Sequence, residues 1–353
     1  MSSKDRRKLQ KKKARQERIR QEKHLRQSLP RYSPSNEADE YDEEVDEGFA
    51  PPIIAGGPGL GFTTERLFRD LRAAIDKAGI ESEEELKAFT DRFMAQYNAG
   101  LRDVSPPSAK QQAQDLAYQA MEAFGGTAIR LAREALQLDA DCVDARLLLA
   151  NADARSPTEL VALVRQAVEA GERSLGKEFF EENRGHFWGM IETRPYMRAR
   201  AGLAGTLREL GRTAEAIAHY EALLELNPND NQGNRDVLLG LYFEVDDLDG
   251  ARRLLDRFPD GLAVFSWGRV LERFLAGDLE EASTARQQAH KDNRYVVDYL
   301  SEAKSLPKGP PDYYSPGQET EAIICAVYLG RAWQRHPDAV SWLRQWRKSA
   351  PRK

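Results

Sequence analysis

The sequence predicts an all-α protein built as an array of antiparallel helix pairs. Three observations carry this. Apolar residues recur at helical spacing across the chain from about residue 63 to 346, and no segment shows the two-residue alternation of a strand. The stretch Glu192–Arg235 reads as two amphipathic helices joined at Gly211 and stopped at Pro228. Small residues, such as Ala204 and Ala216, stand where neighbouring helices must approach closely. With 353 residues, 41% of them hydrophobic and 31% charged, the chain has the apolar content for a substantial core.

Charge is distributed unevenly. The formal net charge is −5, yet residues 1–26 are dense in Lys and Arg and residues 37–47 are dense in Asp and Glu. Residues 1–61 therefore read as a tail: basic over 1–26, acidic over 37–47, and a Gly/Pro linker over 51–61. Within the basic part, Lys8, Lys11, Lys12, Lys13, Arg15 and Arg18 are the candidate contacts to RNA or DNA. The bland alternative is a solvated tail paired loosely with the acidic run. The Gly-rich run Gly56–Gly61 lacks a preceding strand and the Gly-Lys-Ser/Thr ending of a phosphate loop.

Residues 62–104 read as a helical hairpin. Thr64 is the expected cap of its first helix, Leu67, Leu71 and Ile75 its apolar stripe, and Gly79 its stop. Ser82 and Glu85 form the S-x-x-E pattern that opens the second helix, which carries Leu86, Phe89, Phe93 and Tyr97. Residues 105–353 form the array. Pro106-Pro107 opens a helix that ends at Gly125-Gly126, and Ala128, Ala132 and Ala135 mark a close-packed helix. Val143 and Leu147–Leu149 begin the next, and a helix over Pro157–Glu169 is expected to stop at Gly171.

Counting back from Pro228 frames one unit of about 34 residues that begins at Met197. Leu203, Ala204 and Leu207 fall on its first helix, Gly211 at the turn, with Thr213 as the expected cap. Ala216, Tyr220 and Leu223 fall on its second helix. The unit resembles the tetratricopeptide repeat, with Leu223 in place of a small residue and Arg200 in place of a common aromatic. Degraded units follow over Asn231–Arg257 and Leu262–Asn293. A last pair, Asn293–Ser301 with Glu319–Trp333, carries the inserted loop Leu306–Gly317. The wording of Glu192–Arg200 and Leu226–Gly233 is similar to uncharacterised bacterial tetratricopeptide-repeat proteins. The resemblance implies a right-handed superhelical α-solenoid whose concave groove is lined from first helices. By that resemblance Arg198, Arg208, Gln232, Arg235 and Tyr242 line the groove, where Arg forks suit carboxylates.

The competing structural readings are specific. Arg194, Arg198 and Arg200 read as a cationic patch for carboxylates or phosphates. Structurally, Arg194 instead pairs with Glu192 or with the preceding unit and Pro195 suits the first helical turn, while Asp230, Asn231 and Gln232 cap the helix after Pro228. His24, His186, His219, His290 and His336 have no metal-ligand spacing, and no G-x-S-x-G motif occurs. Cys142 and Cys325 stand in apolar helical contexts and read as reduced core thiols. Trp333, Trp342 and Trp346 read as closing the C-terminal end. No apolar run is long enough for a membrane span, and the N-terminus lacks the apolar core of a secretory signal. The expectation is a cytoplasmic, non-catalytic scaffold for a protein or peptide, without metal or cofactor. The alternative is a nucleic-acid- or ribosome-associated protein tethered by its tail.

Overall fold

A computed structural model describes residues 61–349, apart from 81, 100–106, 260–261, 310 and 312. Every regular element among the described residues is helical. In chain order these are α1 (Gly61–Ala78), α2 (Glu83–Asn98), α3 (Ala109–Glu122), α4 (Gly125–Leu138), α5 (Val143–Asp153), α6 (Pro157–Leu175) and α7 (Lys177–Glu182). Two 3-10 turns, Phe187–Gly189 and Ile191–Thr193, lead into α8 (Arg194–Glu209) and α9 (Thr213–Leu226). Then come α10 (Asn234–Glu244), α11 (Leu248–Arg257), α12 (Ala263–Leu275), α13 (Leu279–Asp292), α14 (Val296–Leu300), α15 (Glu319–Arg335) and α16 (Pro337–Ser349). Pairs α3/α4, α5/α6, α8/α9, α10/α11 and α12/α13 pack on one another and on their sequence neighbours, the layout of an α-solenoid.

Local chemistry sets the helix ends. The Ser82 hydroxyl accepts from the Glu85 N–H at 3.2 Å, as its pattern predicts. Ser108 and Gln111 complete a reciprocal capping box at the start of α3. Two expected caps are not used. Helix α1 begins at Gly61, upstream of Thr64, and α9 begins at Thr213 itself, after Arg212, with no side-chain cap. Three successive hairpins turn in the same way. At α8/α9 the Arg212 N–H reaches back to the Leu207 carbonyl at 2.9 Å, with Gly211 at φ +71°. At α12/α13 Asp278 reaches back to Arg273 at 3.1 Å, with Gly277 at φ +83°. Between them Asp247 reaches back to Tyr242 at 2.9 Å, and the left-handed position is held by Asp246 at φ +61°. Asp is among the few residues that tolerate this conformation.

The interior falls into two apolar clusters. A small one, rich in alanine (Ala113, Ala117, Ala132, Ala135, Ala145), joins α3, α4 and α5 at short range. The large one runs from Val143 to Leu343. Gly171 does not stop α6. It is buried within the helix, and the Tyr196 ring lies 2.8 Å from where its Cβ would stand. No described side chain of α1 or α2 belongs to either cluster.

Helix α15 departs from simple stacking. It packs on both α10 and α12, the first helices of two successive pairs, and so lies across them. Gly240 makes this possible, because a Cβ on it would stand 2.4 Å from the Tyr328 carbonyl oxygen. The buried Glu321 carboxylate then fastens α15 in place. It accepts from the Ala263 N–H (3.0 Å), the Asn293 amide (2.9 Å) and the Gly317 N–H (2.7 Å). At the C-terminal end Trp333 is fully buried, and the Arg286 guanidinium stacks 4.0 Å from Trp342 and 4.7 Å from Trp346. No helix among the described residues is long and apolar enough to cross a membrane.

Gly240→Ala is expected to destabilise the fold by about 1–3 kcal/mol through overpacking against α15. Gly330→Ala, with open space around it, is expected to be neutral or to stabilise by roughly 0.5–1 kcal/mol. Urea denaturation of the two variants checks the pair.

Candidate partner-binding face

Among the first helices of the pairs, α3 packs on α5 and α5 on α8, as α10 packs on α12, giving a face of first helices. Its most conspicuous feature is Arg198. Proline at the second position of α8 starts the helix, and Arg198 then falls one turn in, pointing at the neighbouring α5. Its Nε and Nη2 donate to the two oxygens of Asp144 at 2.9 and 2.6 Å. Its Nη1 donates to both oxygens of Glu65 on α1, at 2.9 and 3.1 Å. Glu65 also accepts from the Tyr118 hydroxyl at 2.9 Å and from Arg194 Nη1 at 3.4 Å. Gln114 donates to Asp144 at 2.6 Å. Arg194 in turn lies 4.6 Å from the Trp188 ring.

The centre of this group is buried, with Glu65 at 5%, Arg198 at 8% and Asp144 at 1% exposure, while Gln114, Arg194 and Trp188 are half-buried. Burial works against the Arg198 charge, but Asp144 and Glu65 outweigh it and hold the guanidinium above its ordinary pKa. Burial, followed by the Glu65 charge, pushes the Tyr118 hydroxyl well above the usual tyrosine range. The group is therefore an ion cluster fixed in place by hydrogen bonds from four helices. Arg198 stands on the first helix α8, and its donors are engaged by the chain's own carboxylates, so it presents no open fork.

Beside the cluster, beneath α1, lies a cavity of about 460 Å³. Tyr118, Val143, Ile191 and Pro195 give it apolar walls, Ala73 faces it from α1, and Arg72 and Lys110 stand at its edge. Cys142 also lines it, its thiol pushed up to about 12 by burial. Burial also raises the fully buried Cys325 thiol well above its ordinary value. Thiols held protonated in this way are poor nucleophiles at neutral pH. No group of three or more His, Cys, Asp or Glu among the described residues could hold a metal ion.

The other expected groove residues are dispersed. Tyr242 is buried at 6% exposure and donates its hydroxyl to Glu221 at 2.6 Å on α9, inside the packing of the array. Arg235 is half-buried and stacks 4.9 Å from Phe258 and 5.6 Å from Phe265. Its backbone N–H and that of Asn234 are capped by Asp230 at 2.9 and 2.8 Å, so the capping role foreseen for this turn falls to Asp230. Gln232 is half-buried and its amide oxygen receives Asn234 at 3.4 Å. Arg208 is half-buried near the far end of α10, where its charge acts on Glu244. Lys8, Lys11, Lys12, Lys13, Arg15 and Arg18 lie outside the described residues.

The decisive acids escaped the sequence reading. Glu65 looks like an ordinary first-turn acid, and Asp144 like a favourable charge at a helix start. Nothing local marks either as the partner of an arginine more than fifty residues away. Asp236 on α10 is a further case. It is half-buried, makes no ion pair among the described residues, and burial, opposed by Arg235 and reinforced by Asp230, lifts its pKa from 3.8 to about 7.

No protein-family model matches the chain. Among curated proteins it is similar to "Suppressor of tumorigenicity 7 protein-like" of Homo sapiens, 26% identical over 239 residues, covering 61% of this chain and 41% of that protein. The Danio rerio counterpart is 27% identical over 236 residues (61% and 40%). The Gallus gallus one is 26% identical over 239 residues (61% and 43%). The chain spans about two fifths of the length of these relatives.

Two outcomes test this geometry. Arg198→Ala leaves two buried carboxylates without their cation and is expected to cost about 3–5 kcal/mol in denaturant titrations. Asp236 has a raised folded-state pKa, so its contribution is complete below 3.8 and is lost as pH rises through about 7. Asp236→Asn is expected to flatten the fall in stability across that window, measured by thermal melts at stepped pH.

Proposed function

We propose that the protein is a non-catalytic, cytoplasmic scaffold of the tetratricopeptide-repeat kind, a right-handed superhelix that holds a helical segment of a protein partner on its inner face. The observation behind this is that the face already seats two helices of the same chain. Helix α1 is held on α3 and α8 by the contacts of Glu65 with Tyr118 and Arg198, and α15 lies over α10 and α12. A surface that accommodates helices twice in cis is suited to accept one in trans. Arg208 near the end of α8 and Gln232 in the turn before α10 remain half-buried and are the positions to probe. The raised thiols and the engaged donors of Arg198 favour binding over chemistry.

A second reading rests on the lysines and arginines of residues 1–26: a basic arm that holds nucleic acid or a ribosome, with affinity falling steeply as salt rises. One experiment separates the two. A photo-crosslinking amino acid is placed singly at Arg208, Gln232, Arg130, Arg253 or Lys12 in cells. The scaffold reading expects discrete protein adducts from Arg208 and Gln232 and none from Arg130 or Arg253 on second helices. Adducts to RNA from Lys12, with nothing from the inner positions, would transfer the function to the tail.

A further inference from the structure

Helix α1 is attached to the array in an unusual way. Its described side chains join neither apolar cluster. Its links to the array are charged instead: Glu65 to Arg198 and Arg194, and Arg66 and Arg69 to Asp115 on α3 at 3.1 and 2.7 Å. The last two pairs are partly solvated, with side chains about one fifth exposed, and such pairs add little net stability. Phe68 is 48% exposed. The fit beneath α1 is also incomplete. The cavity of about 460 Å³ lies between α1 and the walls formed by Tyr118, Val143, Ile191 and Pro195, and among its described side chains α1 lines it with Arg69, Arg72 and the small Ala73.

Glu65 and Ala73 lie two turns apart on the same side of α1. The face beneath therefore reads two features of a helix: a carboxylate for Arg198, and an apolar side chain for the cavity two turns later. Helix α1 supplies the first and barely the second. Asp144 remains on Arg198 whichever helix is seated, so the array keeps its α5–α8 ion pair when Glu65 leaves.

We propose that α1 is a displaceable occupant of this face, and that the partner is an acidic amphipathic helix with a carboxylate in the place of Glu65 and a large apolar residue in the place of Ala73. This rests on the scaffold reading and names the chemistry that the scaffold recognises. The partner helix gains the contact α1 makes and fills the space α1 leaves. Its apparent affinity is reduced by the fraction of time α1 is seated.

The test uses the full chain and a fluorescein-labelled synthetic peptide of residues 61–79, read by anisotropy. The peptide carrying Ala73→Leu is expected to bind the Glu65→Gln chain ~10-fold more tightly than the parent peptide does, because the cavity is filled. It is expected to bind the wild-type chain ~10-fold more weakly than the Glu65→Gln chain, because α1 competes. A peptide carrying Glu65→Lys is expected not to bind. Equal affinity for both chains, binding by the Glu65→Lys peptide, or no binding by any peptide would overturn the proposal. Hydrogen exchange on the unaltered chain gives a measurement free of substitutions. Amides of α1 are expected to exchange by local opening well before those of α5 and α8, and equal protection would also overturn it. The peptide assay needs no cellular partner. Its failure beside inner-face cross-links would leave the scaffold reading standing, and the reverse result would leave only the α1 site.

Discussion

An arginine enclosed between two carboxylates sets the geometry of the N-terminal half of this molecule. Taking three charges out of water is costly, and the arrangement holds because each is met in full. Arg198 gives a two-pronged contact to Asp144 and a third donor to Glu65, while Tyr118, Gln114 and Arg194 occupy the remaining oxygen positions. The consequence is positional. Helices α3, α5 and α8 have to converge on one point, because a shift of α5 or α8 leaves a buried charge unmatched, and α1 adds Glu65 to the point they form. Apolar packing fixes how close α3, α4 and α5 come, through the alanines between them. The ion cluster fixes where α8 stands along them.

The C-terminal half solves a related problem with a different balance. There α15 comes close enough to α10 that only glycine fits at position 240. Glu321 then satisfies a helix start, a side-chain amide and a loop N–H at once. Glu272, fully buried, takes Arg252, Arg269 and Arg273 together at 2.9, 3.4 and 3.3 Å. Single acids acting as multi-way joints thus recur along the array, and the apolar core fills the space between them.

Much of the architecture is legible in the residues, because helical spacing and turn chemistry are local. Gly211 and Gly277 stand where a helix ends in the left-handed conformation, and both do so. The third such position was hidden, because Asp246 does the same work while reading as one more surface acid. Gly171 shows the converse. It looks like a stop, but what requires it is the Tyr196 ring from a different helix, and no local pattern reports that. The site was legible only in its residue types. Arginine at 198 does indicate carboxylates. That they belong to this chain, at Glu65 and Asp144, is a fact of tertiary structure. The same holds for α15, whose apolar residues specify burial without specifying the two helices that provide it.

The way α1 is held also bears on how the molecule transmits force. Apolar interfaces yield gradually, because contact area is lost a little at a time as surfaces slide. Ion pairs and hydrogen bonds act over a few ångströms and then let go. Tension arriving from the N-terminal side would load the bonds of Glu65, Arg66 and Arg69 nearly in parallel. The joint would resist with little extension and then release as a unit, leaving the helix pairs behind it in place. In mechanical terms the first helix is a brittle fastening on a compliant spring.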